Sequence, residues 1–337
     1  MRGILGQSLI GPFAATVMVA ALVALTTDHF VDPGNLQNLA LQVSIVALVA
    51  IGSTLVIFTG GIDLSPGSAI ALLTMIFAVI VKFGGVDLWA SLAVTLMLGA
   101  ALGALNGVLT AYLRIPAFIT TLAALSAFRG VAFMFNNGSP VFEVSPQLEQ
   151  VFYGSVAGLP LPLLYVVAFF VAAHWLMRWT PLGRSIYAVG GNPRAAHLSG
   201  IDVKRTQLIA FVLAGVMAAV GAVLMAARLN SGSPNYGAGL ELQAIAAAVI
   251  GGASLAGGRG NVLATLLGAL TITIVQNGLN LNAVPTSMQN VIIGLIIVLA
   301  VGIDMWRNEI GALLRWAVHP TRTAAAHSSN PRDERNR

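Results

Sequence analysis

The sequence predicts an all-α polytopic membrane protein with about ten transmembrane helices. Of its 337 residues, 57% are hydrophobic and only 9% are charged, whereas a soluble globular chain has roughly 25% charged residues. The apolar residues gather in long runs, and because backbone amides in hydrocarbon must bond within their own segment, each run is predicted to be a helix. The runs lack the period of two that a closed barrel requires. This composition excludes a soluble enzyme, a disordered scaffold and a conventional nucleic-acid binder.

The apolar runs define ten predicted spans. The first follows Arg2 and is interpreted as a retained anchor, because it is long and no small-residue cleavage site follows it. The third, eighth and tenth spans are shorter than the roughly 20 residues that cross a bilayer, which predicts that they are kinked or buried among other helices. In chain order the spans are Leu9–Thr26, Leu36–Thr59, Ser68–Val81, Leu88–Ala111, Ile115–Phe135, Leu161–Met177, Gln207–Ala227, Leu242–Gly257, Val262–Leu281 and Met288–Ile303.

The basic residues predict the orientation of these spans. With Arg2 inside and ten alternating spans, 14 of the 17 Lys and Arg residues fall on one side, as the positive-inside rule expects. Lys82 and Arg228 fall outside, and Arg129 lies within a span. The excess of bases is therefore a topology signal and requires no nucleic acid. The bases predicted inside are Arg2, Arg114, Arg178, Arg184, Arg194, Lys204, Arg205, Arg259, Arg307, Arg315, Arg322, Arg332, Arg335 and Arg337.

The chain is predicted to form one transmembrane domain over residues 1–320. Its long inside loop covers residues 178–206 and carries five bases, whereas the long outside loop, Asn136–Pro160, carries Glu143 and Glu149 and no base. Residues 321–337 are polar and are predicted to be a disordered tail on the inner side.

A faint internal repeat is visible. Gly61–Leu64 is similar to Gly237–Leu240, and the Leu-Gly-Ala-Leu segment at 102–105 recurs at 267–270. The two copies are five predicted spans apart, and an odd offset inverts the second copy, as in many transporter folds. Chance similarity between Gly- and Ala-rich helices is the other reading.

The segment Gly60–Ser68 interrupts the apolar pattern. Its two glycines loosen a helix, and Pro66 removes a backbone donor. Asp63, Ser65 and Ser68 are candidate caps for the helix that restarts there. A tight turn at the membrane edge is the favoured reading, and a broken helix that lines a translocation path is the alternative.

The inside loop contains a short predicted helix. Asn192 is a good N-cap, Pro193 suits the first helical position, and Gly200 is a natural stop. A helix of about two turns is unstable alone in water, so it needs a surface to lie on. Docking onto a partner is favoured over packing on its own bundle.

Few polar side chains lie inside the spans. Arg129 must face a partner group or a wet cavity, since lipid would disfavour it by roughly 3 kcal/mol. The amides of Asn106, Gln276, Asn277 and Asn290 are read first as links between helices and second as groups that contact a passing solute. Asp63 and Glu241 are placed at membrane edges, so no carboxylate is expected at mid-membrane, which argues against an ion-coupled carrier. Further polar positions within spans are Gln42 and Ser44.

Several motifs are absent from the sequence. It has no Walker-type phosphate loop, no paired nucleophile and base, and no cysteine. The five histidines lie at span ends, in loops or in the tail, without partner clusters. The chain is therefore expected to be no enzyme, to have no catalytic or metal-ligating residue, and to bind no cofactor itself.

Three segments resemble one known family: Gly60–Ser68, the stretch from 102 to 126, and the loop from 183 to 201. Together they are similar to the permease subunits of bacterial ABC sugar importers of the ribose/xylose/arabinose type. The likeness runs from about residue 36 to 304, with Ala244–Leu270 also similar. Pro66 departs from the family, which usually has a small aliphatic residue there.

The resemblance implies a multi-pass protein of the bacterial inner membrane with both termini in the cytoplasm. It implies a permease homodimer in membrane lipid, two cytoplasmic ATPase domains that bind ATP and magnesium, and a periplasmic solute-binding protein. In that family the cytoplasmic loop helix docks into the ATPase. By similarity this role falls on Asn192, Pro193, Arg194, Ala195, Ala196, Ser199 and Gly200.

The sequence therefore predicts a permease that passes a sugar-like solute by alternating access, driven by a separate ATPase. An ion-coupled secondary carrier acting alone is the alternative, and an intramembrane enzyme is a third class. The candidate residues of the translocation path are Asp63, Ser65, Asn106, Arg129, Gln276, Asn277 and Asn290.

Overall fold

The structure, a computed structural model, describes residues 2–156 and 159–318. The predicted tail at 321–337 lies outside the described residues. Within them the chain folds into helices joined by short connections, with a 3-10 turn at Phe135–Gly138 and four two-residue strands. The helices are α1 (Arg2–Thr26), α2 (Pro33–Phe58), α3 (Pro66–Lys82), α4 (Leu88–Ala111), α5 (Ala117–Met134), α6 (Gln147–Tyr153), α7 (Leu161–Trp179), α8 (Pro181–Gly191), α9 (Pro193–Leu198), α10 (Val203–Leu229), α11 (Leu240–Ile250), α12 (Val262–Leu281) and α13 (Thr286–Val318).

The strands form two short antiparallel pairs. Strand β1 (Val141–Phe142) pairs antiparallel with β4 (Ser231–Gly232), and β2 (Ser155–Val156) pairs antiparallel with β3 (Leu159–Pro160). No strand in the described part of the chain joins a closed sheet. The predicted all-α polytopic class is confirmed.

Seven helices of the described chain are long and apolar enough to cross a membrane: α1, α2, α4, the α5 segment, α7, α10 and α12. Two shorter apolar helices, α3 and α11, and the apolar stretch Thr286–Gly302 of α13 account for the short predicted spans. The eighth span was predicted too long, because α11 ends at Ile250 and not at Gly257. Gly252 and Gly257 beyond that end adopt left-handed backbone angles and turn the chain.

Helix α2 forms the centre of the bundle. Every residue from Val43 to Phe58 is buried, and α10, α11, α12 and α7 pack around it. α4 packs on α10 through Gly103, where an added Cβ would lie under 3.0 Å from the backbone of Phe211. Such close backbone approach is typical of helix contacts in membranes, where small residues form the interface.

The connections define two ends of the bundle. One, called the α9 end, carries α8, α9 and the connections α2–α3, α4–α5 and α11–α12. The other, called the α6 end, carries α6 and both strand pairs. Among the described residues the loops of the α9 end have a single exposed acid, Asp202, against a set of exposed bases. These bases are Arg114, Arg178, Arg184, Arg194, Lys204, Arg205 and Arg259.

Two non-helical segments interrupt the bundle. The first break, residues 59–65, separates α2 from α3, and the second break, residues 230–239, separates α10 from α11. The second break runs beside α3, since Cβ atoms added at Gly232 and Gly237 would clash with the backbone of Thr74 and Gly67 respectively. Irregular backbone at membrane depth is tolerated only where protein or a wet cavity surrounds it.

The two halves of the chain repeat the same order of elements. α2, the first break, α3, α4 and α5 match α10, the second break, α11, α12 and α13. Their contacts are reciprocal: α3 and α4 pack on α10, whereas α11 and α12 pack on α2. This arrangement favours an inverted repeat over chance similarity, the two readings that the sequence left open.

Candidate functional site

The predicted loop helix is present as α9, and its ends are capped as the sequence indicated. The Asn192 side chain accepts a hydrogen bond from the backbone amide of Ala195 (3.0 Å), and Pro193 occupies the first turn. Gly200 follows the C-cap with a φ of 83°, a left-handed angle that glycine adopts without strain. α9 packs on α8 and α10.

The residues to which the resemblance gives the docking role do not all lie on one exposed face of α9. Ala196 is 4% exposed and lies against the chain's own bundle, whereas Leu198 is 82% exposed. Arg194 and Ala195 are exposed as well. Leu198 was not among the residues predicted from the sequence. The available signal was a large apolar side chain in a short loop helix whose other residues are polar or small.

At the first break, three residues predicted for the translocation path are joined by buried hydrogen bonds. Asn106 Nδ2 on α4 donates to Ser65 Oγ (2.9 Å), and Ser65 Oγ donates to Asp63 Oδ1 (2.7 Å). Asp63 is 4% exposed and Asn106 only 1%. The Asn106 Oδ1 atom is buried without a hydrogen-bond partner. It can accept a hydrogen bond from a hydroxyl group or a water molecule.

The predicted capping of α3 is wrong in detail. Ser65 occupies the N-cap position, but its side chain makes no capping bond and donates to Asp63 instead. Asp63 also accepts from the Ser65 backbone amide (2.9 Å), and Ser68 donates to the Ser65 carbonyl oxygen (2.9 Å). The connection between α2 and α3 has seven residues, 59–65, and is longer than the tight turn that the sequence favoured. Residues 61–65 have no helical structure and connect α2 to α3 beside α4.

Arg129 binds the second break. Its Nη1 atom donates to the carbonyl oxygens of Pro234 and Tyr236, each at 2.7 Å. Arg129 thus faces partner groups, one of the two environments that the sequence predicted for it. The guanidinium satisfies two backbone acceptors that the absence of a helix leaves free.

The remaining candidates are not brought together with these residues. Asn277 on α12 exchanges hydrogen bonds with Asn35 on α2. Asn277 Nδ2 donates to Asn35 Oδ1 (2.8 Å), and Asn35 Nδ2 donates to Asn277 Oδ1 (3.1 Å). Asn277 is thus a link between helices. Gln276 is half-buried and Asn290 is exposed.

Glu241 does not lie at the edge of the bundle, as the sequence had placed it. Its Oε2 atom is buried without a hydrogen-bond partner, next to Gly67 at the start of α3. At 1.5 Å per residue, α3 extends about 22 Å from Gly67 to Lys82, and α11 extends about 15 Å in the other direction. A carboxylate therefore lies between the two ends of the bundle. The sequence predicted none at this depth, so the argument that it made against an ion-coupled carrier no longer holds.

A cleft of about 450 Å³ opens towards the α6 end. Gln37, Tyr153 and Ser155 line it together with apolar residues of α2, β3 and α7. The Tyr153 hydroxyl is buried and has no hydrogen-bond partner. The volume of the cleft lies within the range of small-molecule sites, about 300–1,000 Å³.

The buried polar groups of the site offer hydrogen bonding. In the part of the chain that the structure describes, no group of three or more His, Cys, Asp or Glu residues could hold a metal ion. Buried amide, hydroxyl and carboxylate groups can bind a neutral polar solute reversibly.

A family model described as the permease component of branched-chain amino acid transport systems matches residues 35–301. The ribose import permease of Escherichia coli strain K12 is 42% identical over 294 residues, covering 86% of this chain and 91% of that protein. The ribose import permease of Bacillus subtilis strain 168 is 39% identical, covering 88% and 92%. The D-allose transport permease of Escherichia coli strain K12 is 35% identical, covering 87% and 90%. No solved structure matches significantly.

Proposed function

The chain belongs to the family of permease components of branched-chain amino acid transport systems, and from this membership we propose that it is the membrane-spanning subunit of an ATP-driven sugar importer. The observation that carries the proposal is the 42% identity to a ribose import permease over nearly the whole of both chains. Relatives named for D-allose and xylose cover similar lengths. A monosaccharide is therefore the proposed class of solute.

The proposed partners are a second copy of this chain, a cytoplasmic ATPase and a periplasmic solute-binding protein. The excess of exposed bases at the α9 end supports a cytoplasmic position for that end, by the positive-inside rule. The chain's N-terminus and C-terminus are proposed to lie on the same side. ATP and magnesium are assigned to the ATPase.

We assign the contact with the ATPase to α9. Its exposed Leu198 offers an apolar anchor, and Arg194 lies on the same short helix. A matching groove on the ATPase would have an apolar pocket bordered by acidic residues. A few side chains that fill pockets near the centre of an interface contribute most of its binding energy.

The translocation path is proposed to follow the two breaks. Non-helical segments at membrane depth are where transporters bind solutes, and the Asn106 Oδ1 and Glu241 Oε2 atoms there lack partners. In the proposed cycle, closure of the ATPase pair moves α9 and switches the path from outward-facing to inward-facing.

Reconstitution into lipid vesicles tests the proposal. The purified chain alone is expected neither to hydrolyse ATP nor to accumulate solute. With the ATPase and the binding protein it is expected to accumulate a monosaccharide from a panel of ribose, D-allose and xylose, only when ATP is present. Uphill uptake by the chain alone, driven by a proton or sodium gradient, would establish the secondary carrier instead.

A second experiment tests the docking assignment. Leu198→Asp is expected to reduce co-purification of the ATPase at least about tenfold, as loss of an interface anchor does. Leu159→Asp is the matched control, because Leu159 is also an exposed leucine but lies at the α6 end. Ala196→Asp is unsuitable, since a charge at this buried position would disturb the fold. Normal co-purification of the Leu198 variant would refute the assignment.

A further inference from the structure

Four glycines bring three separate segments into backbone contact at the α9 end. They are Gly60 after α2, Gly190 in α8, and Gly257 and Gly258 after α11, and are called the glycine junction here. A Cβ on Gly257 would lie 2.8 Å from the Gly60 amide nitrogen, and one on Gly258 would lie 2.5 Å from the Gly191 amide nitrogen. A Cβ on Gly190 would clash with the Phe58 carbonyl oxygen. The three backbones therefore touch directly, with no intervening side chain.

Tyr187 and Phe58 join the same three segments through their side chains. Their ring centroids are 5.0 Å apart with a 32° angle between the planes. The Tyr187 hydroxyl donates to the Gly260 carbonyl oxygen (3.1 Å), and the Gly258 amide donates to the Phe58 carbonyl oxygen (3.0 Å). Burial raises the pKa of Tyr187 to about 12 although Arg178 opposes the shift, so the hydroxyl remains protonated and donates at neutral pH.

The contacts continue in both directions from the junction. On one side, α8 and α9 share Asn192, which is the C-cap of the first helix and the N-cap of the second. On the other side, Phe58 is the last residue of α2, and the chain passes from it directly into the first break, where Asp63 belongs to the buried hydrogen-bonded chain. A continuous packed route thus leads from α9 to Asp63.

We propose that Tyr187 is a positioning residue that transmits movement of α9 to the first break. The proposal rests on the proposed function, since it assumes that an ATPase moves α9. Close-packed elements shift together and do not deform continuously. Because α8 contacts Phe58 with both its backbone at Gly190 and its Tyr187 ring, a shift of α9 displaces the end of α2. This displacement moves the segment that carries Asp63.

The experiment measures solute imported per ATP hydrolysed in vesicles that contain the complete transporter. Tyr187→Leu removes both the ring contact and the hydrogen bond and is expected to lower this ratio at least about tenfold, while ATPase binding and ATP hydrolysis stay within about twofold of the wild type. Tyr187→Phe retains the ring and is expected to lower the ratio about threefold. Tyr165→Phe is the control, because Tyr165 also donates to a backbone carbonyl, that of Val151, but at the α6 end. Its ratio is expected to equal the wild-type value.

Each outcome decides the question. A normal ratio in both Tyr187 variants overturns the inference and leaves the proposed function intact. If the Leu variant does not assemble, the Phe variant decides: a lowered ratio supports the inference, and an unchanged ratio overturns it. If the wild-type complex shows no ATP-dependent uptake, the proposed function itself fails.

Discussion

The contact between α4 and α10 yields a quantitative prediction for Gly103→Ala. The Cβ introduced there would lie under 3.0 Å from the Phe211 backbone, and the next nearest atom, Val212 Cα, would lie 3.1 Å away. Ordinary van der Waals contact begins at 3.4 Å. The obstructing atoms belong to the backbone, so no rotamer change relieves the clash and the two helices must separate by roughly 1 Å.

The expected loss of stability is about 1–3 kcal/mol, the usual effect of one extra methyl group in a well-packed core. A loss of this size lowers the thermal midpoint by about 2–10 °C in a chain of this length. The midpoint is measured in detergent, by heating the purified protein and following the monodisperse fraction by size-exclusion chromatography.

Gly130→Ala on α5 is the matched control. An added Cβ there meets nothing within 4 Å, and alanine favours a helix over glycine by about 1 kcal/mol. Its midpoint is therefore expected to equal or exceed that of the wild type. If Gly103→Ala melts as high as Gly130→Ala, the close approach of the two helices is refuted.

Three further predictions concern the polar side chains. Arg129→Lys replaces a planar guanidinium with a single ammonium group, so it should weaken the hydrogen bonds to the second break and lower the same thermal midpoint. An unchanged midpoint would contradict this. A double-mutant cycle on Asn35 and Asn277, with alanine at each position, should give a coupling energy of about 0.6–2 kcal/mol in unfolding measurements, and additive effects would deny the link. Asn106→Ala should lower sugar uptake by the complete transporter at least about tenfold, whereas Asn290→Ala should not, and equal effects would exclude a special role for Asn106.

The span pattern was predictable because it depends on local composition alone. Hydrocarbon requires a helix wherever about 20 apolar residues follow one another. The caps of α9 were predictable for the same reason: Asn192 bonds to an amide only three residues away, and Gly200 needs no tertiary partner for its backbone angle. Local chemistry decides such features whatever surrounds them.

The faces and depths of these elements could not be predicted, because distant segments decide them. Ala196 is buried and Leu198 exposed through the packing of α9 on α8 and α10, which the six residues of α9 do not encode. Glu241 was placed at an edge because the second break was counted as a loop outside the membrane. That segment instead runs beside α3 as far as Gly67, a contact between residues far apart in the sequence.

Six buried side-chain polar atoms in the described part of the chain lack a hydrogen-bond partner. Four are hydroxyls away from the breaks, on Ser53, Thr110, Thr120 and Tyr153, whereas the two at the breaks are an amide oxygen and a carboxylate oxygen. A buried donor or acceptor without a partner costs about 1–3 kcal/mol, so a purely structural polar residue is expected to be paired, as Asn277 is with Asn35. The Asn106 Oδ1 and Glu241 Oε2 atoms are unpaired. Asn106 bonds to Ser65 of the first break, and Glu241 lies in the first turn of α11, directly after the second break. A solute hydroxyl that donates to these oxygens during passage would recover the lost hydrogen bonds. The path is therefore expected at the breaks and not along α12 or α13, which is why Asn106 and Asn290 should respond differently to the same substitution.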